Sequence, residues 1–330
     1  MTLTLGLSPD ALRIDAERVV DEITTGIRLL VRQMRKRGVV VGLSGGVDSS
    51  VVAALCARAV GSERVLGLFM PERESAAESL RLAQFVAEHL GIGTVLEDIT
   101  AILDAAGCYE RRDSAIKQLI PDYAPDWKSK VALPSVVHDD RFRIFSVVAE
   151  SPTGERRRAR VTPVAYGELI AAMNFKQRTR KMMEYYHADR LNYAVAGTPN
   201  RLEYDQGFFV KNGDGAADLK PIAHLYKTQV YHIAEHLGIP DEIRRRPPTT
   251  DTYSLPQTQE EFYFSLPYDK MDLCLYARDN GVTAAAAAAA VGLSEEQVER
   301  VFKDIDAKRR AAEYLHLSPQ LIADVPAATR

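Results

Sequence analysis

The segment "GVVVGLSGGVDSSVVAALCARAVG", beginning at Gly38, constrains the fold of this chain more than any other stretch. A short valine-rich run without alternation suits a parallel strand buried on both faces. A Gly-Gly turn follows, and a helical pattern starts at once from Asp48. A glycine loop between a parallel strand and a helix aims backbone N–H groups and the positive helix end at an anion. A Walker-type loop needs G-x-x-x-x-G-K-[ST], and here an aspartate stands where that lysine belongs. Read alone, the turn is a phosphate cradle of another class or a nonspecific anion-binding connection.

The surrounding pattern extends this unit into a sheet. Val19, Ile23, Ile27, Leu30 and Met34 recur at helical spacing and predict a helix over about 15–36. After the glycine loop come a strand at "RVLGLFM", a helix through "ESAAESLRLAQFVAEHLG" and a strand at "TVLEDI". Strand and helix alternate as a doubly wound, mostly parallel sheet requires. The rhythm breaks over 107–163, where "RFRIFSVVAESPTGERRRARVTP" alternates about the turn "SPTGE" and predicts a hairpin inserted near 140–163. A long helix ("YGELIAAMNFKQRTRKMMEYYHADR"), a buried strand ("LNYAVAGT") and a helix closed by Gly238 then resume the frame. "TAAAAAAAVG" reads as a packing helix, and Ser294 with Gln297 forms a capping box for the last helix. At 330 residues the chain is taken as one enlarged α/β domain spanning 1–330.

Composition bears on what this frame can do. The net charge of −3 offers no global attraction for nucleic acid, and no apolar run approaches a membrane span. Without a secretory pattern at the start, the cytoplasm is the expected location. Cys56, Cys108 and Cys274 lie far apart and read as ordinary reduced thiols, with Cys56 a small core residue. His224, His232 and His236 show no zinc-binding pattern with a nearby acid.

Ser44, Gly45, Gly46, Asp48, Ser49 and Ser50 together resemble the pyrophosphate loop of the ATP pyrophosphatases, which cleave ATP between the α and β phosphates. "NFKQRTRKMM", "GTPNRLEYDQGFFVKNGDGAADLKPIAHLYKTQVYHIAEHLGIPDEI" and "RRPPTTD" resemble the core of the ammonia-dependent NAD synthetases. The resemblance implies a Rossmann-like, adenine nucleotide α-hydrolase-like fold. It implies amidation of nicotinic acid adenine dinucleotide through an acyl-adenylate, with ammonia consumed and AMP and pyrophosphate released. Carried over residue by residue, it implies that Asp48 and Glu203 bind Mg²⁺. ATP would be held by Gly42, Leu43, Ser44, Gly45, Gly46, Val47, Asp48 and Ser49 with Thr198, Lys227 and Thr249. Arg178, Lys211 and Asp218 would hold the dinucleotide, with Lys308 in "AKR" where the family has a histidine before the cations. Asp214 in "KNGDG" would receive ammonium and take its proton. With Asp48 and Lys227 it makes up the expected catalytic set.

Other readings stay open beside this one. Singly, Glu203 is a solvated acid, Lys227 a surface charge and Asp214 a turn former. A related ligase could amidate a different carboxylate, and a nucleotide-binding regulator could keep the fold without catalysis. The segment "PPTTDTYSLPQTQEEFYF" reads as a mobile lid that departs from the family's acidic "QTDEE" run. Arg156, Arg157, Arg158 and Arg160 make either a solvated charged edge or a surface for a partner or an acid. No Gly-x-Cys-x-Gly setting suggests a glutaminase nucleophile, so ammonia is used directly or delivered by a separate protein. A homodimer is implied by the resemblance alone.

Overall fold

The computed structural model of the protein describes residues 7–133, 145–248 and 253–323. Among these the strands are β1 (Val39–Gly42), β2 (Val65–Phe69), β3 (Gly93–Leu96), β4 (Lys128–Ala132), β5 (Ser146–Glu150), β6 (Arg156–Arg160) and β7 (Ala194–Ala196). The helices up to β7 are α1 (Ala16–Gln33), α2 (Val47–Val60), α3 (Ala77–Leu90), α4 (Thr100–Ala105), α5 (Cys108–Lys117) and α6 (Pro163–Leu191). After it come α7 (Arg201–Gln206), α8 (Lys227–His236), α9 (Asp241–Arg244), α10 (Tyr268–Asp279), α11 (Ala284–Val291) and α12 (Glu295–His316).

The main sheet is parallel, in the order β3-β2-β1-β7, so the winding reverses direction at β1. Val39 pairs with Val65 on one side and Ala194 on the other. The period-2 alternation of a strand then decides which layer each residue serves. Val39, Val41, Val65, Phe69, Ala194 and Ala196 join one core with α1, α2, α3 and α8. Val40, Leu66, Leu68 and Val195 face the opposite core under α4, α5 and α6. A Val-rich strand without polar positions is what two covered faces require. In a doubly wound sheet a ligand crevice opens at such a reversal, beyond the carboxyl ends of the strands. Here the loops after β1 and β7 flank it.

The broken region holds more structure than its sequence suggested. The expected hairpin is β5 and β6, paired from Ser146 with Arg160 to Glu150 with Arg156, and β4 adds a third antiparallel strand on the other side of β5. Residues 140–144 of the expected insertion lie outside the described residues. Helix α5 went unrecognised because its sequence, "CYERRDSAIK", is mostly polar and its buried face includes Arg112. That guanidinium is held by Glu74 and Asp113, which makes a charge tolerable where periodicity looks for an apolar residue. The small sheet packs Val131, Val147 and Ala149 against Ile116, Leu169 and Met173 of α5 and α6. On its edge strand β6, Arg156 pairs with Glu150, and Arg157 with Asp122 and Glu155. Those contacts fit a charged, solvated edge.

The described part of the expected lid is tied down. Tyr253 and Leu255 are buried, Leu255 N donates to Ser129 O at 3.2 Å, and Gln257 Nε2 donates to Val131 O at 2.6 Å. At its end Phe264 enters a third core with α10 and α12. The alanine run is a helix, capped by Thr283 and ended by Gly292 in the left-handed region, with Ala284 and Ala287 packed on Val298. Leu30 corrects the reading of α1, since it is 43% exposed while Val19, Ile23 and Ile27 are buried. No helix among the described residues is long and apolar enough to cross a membrane.

Candidate active site

The glycine loop leaves β1 still paired, with Leu43 N donating to Leu68 O at 2.8 Å. Gly45 has φ +75°, and a Cβ there would lie 2.4 Å from Ser79 O, so both conformation and space demand glycine. The loop's own serines close it. Ser44 Oγ and Ser49 Oγ are 3.1 Å apart, Gly46 N donates to Ser44 Oγ at 3.3 Å, and Ser50 Oγ donates to Gly46 O at 2.8 Å. Gly46 is the N-cap of α2 and carries no side chain to claim the first helical amides. Those amides and the helix dipole remain for an anion. Leu43 and Val47 point into the core, so only their backbones can face a ligand.

Asp48, in the first turn of α2, is the centre of the site. One carboxylate oxygen takes Asn200 Nδ2 at 3.1 Å, and the other is paired with Lys227 Nζ. Asn200 comes from the loop after β7 and Lys227 from the first turn of α8, so three strand-end or helix-start positions meet on one carboxylate. Asn200 and Glu203 also form a capping box on α7, each accepting from the other's backbone N–H at 3.1 Å. Burial, then the charge of Asp48, pushes the Glu203 carboxyl up to about 8, against the pull of Lys227. Burial works against the Lys227 ammonium, yet Asp48 and Glu203 more than offset it and its pKa rises. Among the described residues no group of three or more His, Cys, Asp or Glu is arranged to hold a metal.

Asp214 lies within electrostatic reach of Glu203, Lys181 and Arg180. Val210 N donates to its Oδ1 at 2.8 Å, and burial raises its carboxyl above the ordinary range. Arg178 and Lys211 are brought together, with Arg178 Nε donating to Lys211 O at 3.3 Å. The Lys211 ammonium itself goes to Tyr314 O at 2.7 Å and Leu317 O at 3.0 Å, at the end of α12. Asp218 accepts from Val195 N at 2.8 Å and Tyr185 Oη at 3.3 Å, beside β7. Lys308 is turned inward, 2.8 Å from Asp304 and donating to Tyr263 O at 2.7 Å. Thr198 is half-buried in the loop after β7, and Thr249 lies outside the described residues.

Several residues of this site escaped the sequence reading. Asn200 could have been found, because N-x-x-E ahead of a helix is a capping-box signal. Asp272 could not, since nothing local marks it. It comes from α10 to accept from Thr228 N at 2.7 Å, at the start of the helix that carries Lys227. Cys56 is buried as expected, and so are Cys108 and Cys274; burial pushes the Cys56 thiol up to about 12.

The sequence model of the NAD synthase family matches residues 19–119 and 148–312. A relative from Rhizobium meliloti, an NH(3)-dependent NAD(+) synthetase, is 60% identical over 321 residues, covering 97% of this chain and 96% of that protein. Among solved structures, NH3-dependent NAD synthetase from Campylobacter jejuni is similar with a TM-score of 0.62 at 22% identity, covering 94% of this chain and 100% of the other. NMN synthetase from Francisella tularensis reaches a TM-score of 0.62 at 20% identity, again over 94% and 100%. At these identities the two structures speak for the fold alone, a Rossmann-like sheet with helices on both faces.

Proposed function

The chain belongs to the NAD synthase family, and on that premise we propose how its residues divide the work of an ATP-dependent, ammonia-using amidation of nicotinic acid adenine dinucleotide. The carrying observation is the 60% identity over nearly the whole chain to a relative named for that reaction. The interlocked Asp48, Asn200, Glu203 and Lys227 at the sheet's winding reversal support the assignment of ATP to this crevice.

A carboxylate is a poor electrophile and must first gain a leaving group. A carboxylate oxygen of the substrate attacks the α-phosphorus of ATP, the bond to the β-phosphate oxygen breaks, and pyrophosphate departs from an acyl-adenylate. In our reading the amides at the start of α2, with Ser44 and Ser49, hold that pyrophosphate, and Lys227 supplies a buried positive charge beside it. Magnesium fits the donors present. Asp48 and Glu203 are two neighbouring carboxylates that a cation would relieve, and hard oxygen ligands completed by substrate phosphates are how Mg²⁺ is usually held. When bound there it would neutralise charge on the leaving group. Ammonia then attacks the acyl carbon, AMP leaves, and Asp214 binds ammonium and accepts its proton. Residues 1–330 act as one domain in this proposal, as a homodimer, with ammonia taken directly or from a separate glutaminase.

The test is to supply purified protein with ATP, magnesium, ammonium and the dinucleotide acid. NAD, AMP and pyrophosphate in equal amounts are expected, and formation of ADP would overturn the assignment. A second reading, a different acid acceptor, is favoured by one observation: Lys211 and Lys308 are spent on contacts within the chain. Comparing kcat/KM for nicotinic acid mononucleotide and the dinucleotide decides it. A preference for the mononucleotide would establish the second reading.

A further inference from the structure

One face of α6 carries a charged pair that the functions above leave unused. Lys181 and Glu184 are ion-paired, and their side chains are only 6% and 9% exposed. Taking two charges out of water carries a desolvation cost that their mutual attraction only partly offsets. At its far end the pair meets the glycine loop: a Cβ at Gly42 would lie 3.0 Å from Glu184 Oε1. One turn back along the same face, Gln177 meets the Asp214 turn, since a Cβ at Gly213 would lie 2.9 Å from the Gln177 Cβ. Residues spaced by three and four share a helix face, so Gln177, Lys181 and Glu184 run in line from the Asp214 turn to the first residue of the loop.

We propose that Lys181 and Glu184 form a positioning pair for the amidation step, in which the Lys181 charge serves Asp214 and Glu184 anchors that charge against Gly42. This rests on the reading of Asp214 as the ammonium-binding carboxylate. The groups acting on Asp214 include Lys181 and Arg180 from α6, which favour its ionised form against burial. Asp214 in turn acts on Glu184, on Glu203 of α7 and on Lys220 just downstream. Lys181 also helps depress Lys220, after burial. Without it, burial and the neighbouring carboxylates oppose ionisation of Asp214.

The experiment is the pH dependence of kcat/KM for total ammonium at saturating ATP and dinucleotide. ATP–pyrophosphate exchange monitors the adenylation step separately. The ammonium–ammonia equilibrium is common to all samples and cancels between variants. Lys181→Met should move the acid limb of the profile upward by about one unit or more, losing activity on its acid side and recovering it as pH rises, because an opposite charge within reach shifts a carboxyl by that much. Glu184→Gln should move the acid limb the other way, to lower pH, because Lys181 is then uncompensated. Each single variant strands a buried charge and can fail to fold, whereas Lys181→Met with Glu184→Gln removes both charges together. The double variant should fold, keep exchange, and shift its acid limb upward by less than Lys181→Met. An unmoved limb in the double variant, or single variants that shift in the same direction, overturns the proposal. Asp214→Asn separates the two levels. If it keeps the wild-type limb, the Asp214 reading falls together with this one; if it loses the limb while the pair's variants retain it, only this inference falls.

Discussion

Around the glycine loop, Asp48, Asn200, Glu203 and Lys227 reach one another from the ends of β1 and β7 and the starts of α7 and α8, and their hydrogen bonds are mutual. On the side proposed for the acceptor, Arg178, Lys211, Asp218 and Lys308 mostly bond to backbone elsewhere in the chain, at α12, β7 and Tyr263. The cluster at the glycine loop is therefore organised by the ends of the central strands and the helices that start there. The acceptor side depends on how the C-terminal helices settle against the frame. On the proposed division of the site, activation of the acid by ATP would rest on the scaffold, and the choice of acid on the packing of the C-terminal helices.

The sharpest way to break this contrast is Asp48→Asn. It should cut AMP formation by roughly 10²–10³, as removal of one preorganised electrostatic group does, while dinucleotide binding measured by calorimetry stays near wild type. Loss of both would mean the two sides are one unit. Gly45→Ala is the next test. Left-handed backbone costs an alanine about 1–2 kcal/mol, and the clash with Ser79 O adds to it. The expected result is an approximately tenfold higher KM for ATP with the KM for the dinucleotide unchanged.

Lys211→Met probes the other side. It removes a cation from the carbonyl end of α12, which should lower Tm by about 2 °C and raise the KM for the dinucleotide a few-fold, leaving ATP–pyrophosphate exchange intact. The smallest effect joins the two sides. Burial pushes the Asp272 carboxyl up to about 6 from 3.8, so the folded protein keeps a proton that the unfolded chain releases between those values. That contribution to stability is complete below 3.8 and is lost as pH rises through about 6. Asp272→Asn should therefore flatten the fall of Tm across that interval, and an unchanged slope would exclude Asp272 as its source.

What was legible in the chain follows from how local each signal is. The conformation of the loop at 42–50 could be read because it needs only a strand, two glycines and a helix start. Gly238 and the Ser294 capping box were legible for the same reason, since helix ends are decided within four residues. Helix α5 was not, because Arg112 replaces an apolar residue on its buried face and its partners, Glu74 and Asp113, include one from another element. Nor was β4, which is read as a strand only beside β5.

By itself, then, the sequence determined the alternation of strands and helices, the two covered faces of β1 and the conformation of the glycine loop, all of which rest on periodicity and local backbone sterics. Only the tertiary structure decided that Lys227, 179 residues away in sequence, sits on Asp48. It also decided that Glu203 is buried beside them, that Lys211 is turned to the last helix and that Lys181 comes within electrostatic reach of Asp214. Charges act through space and through the solvent they lose on burial. Neither quantity exists until the chain has folded.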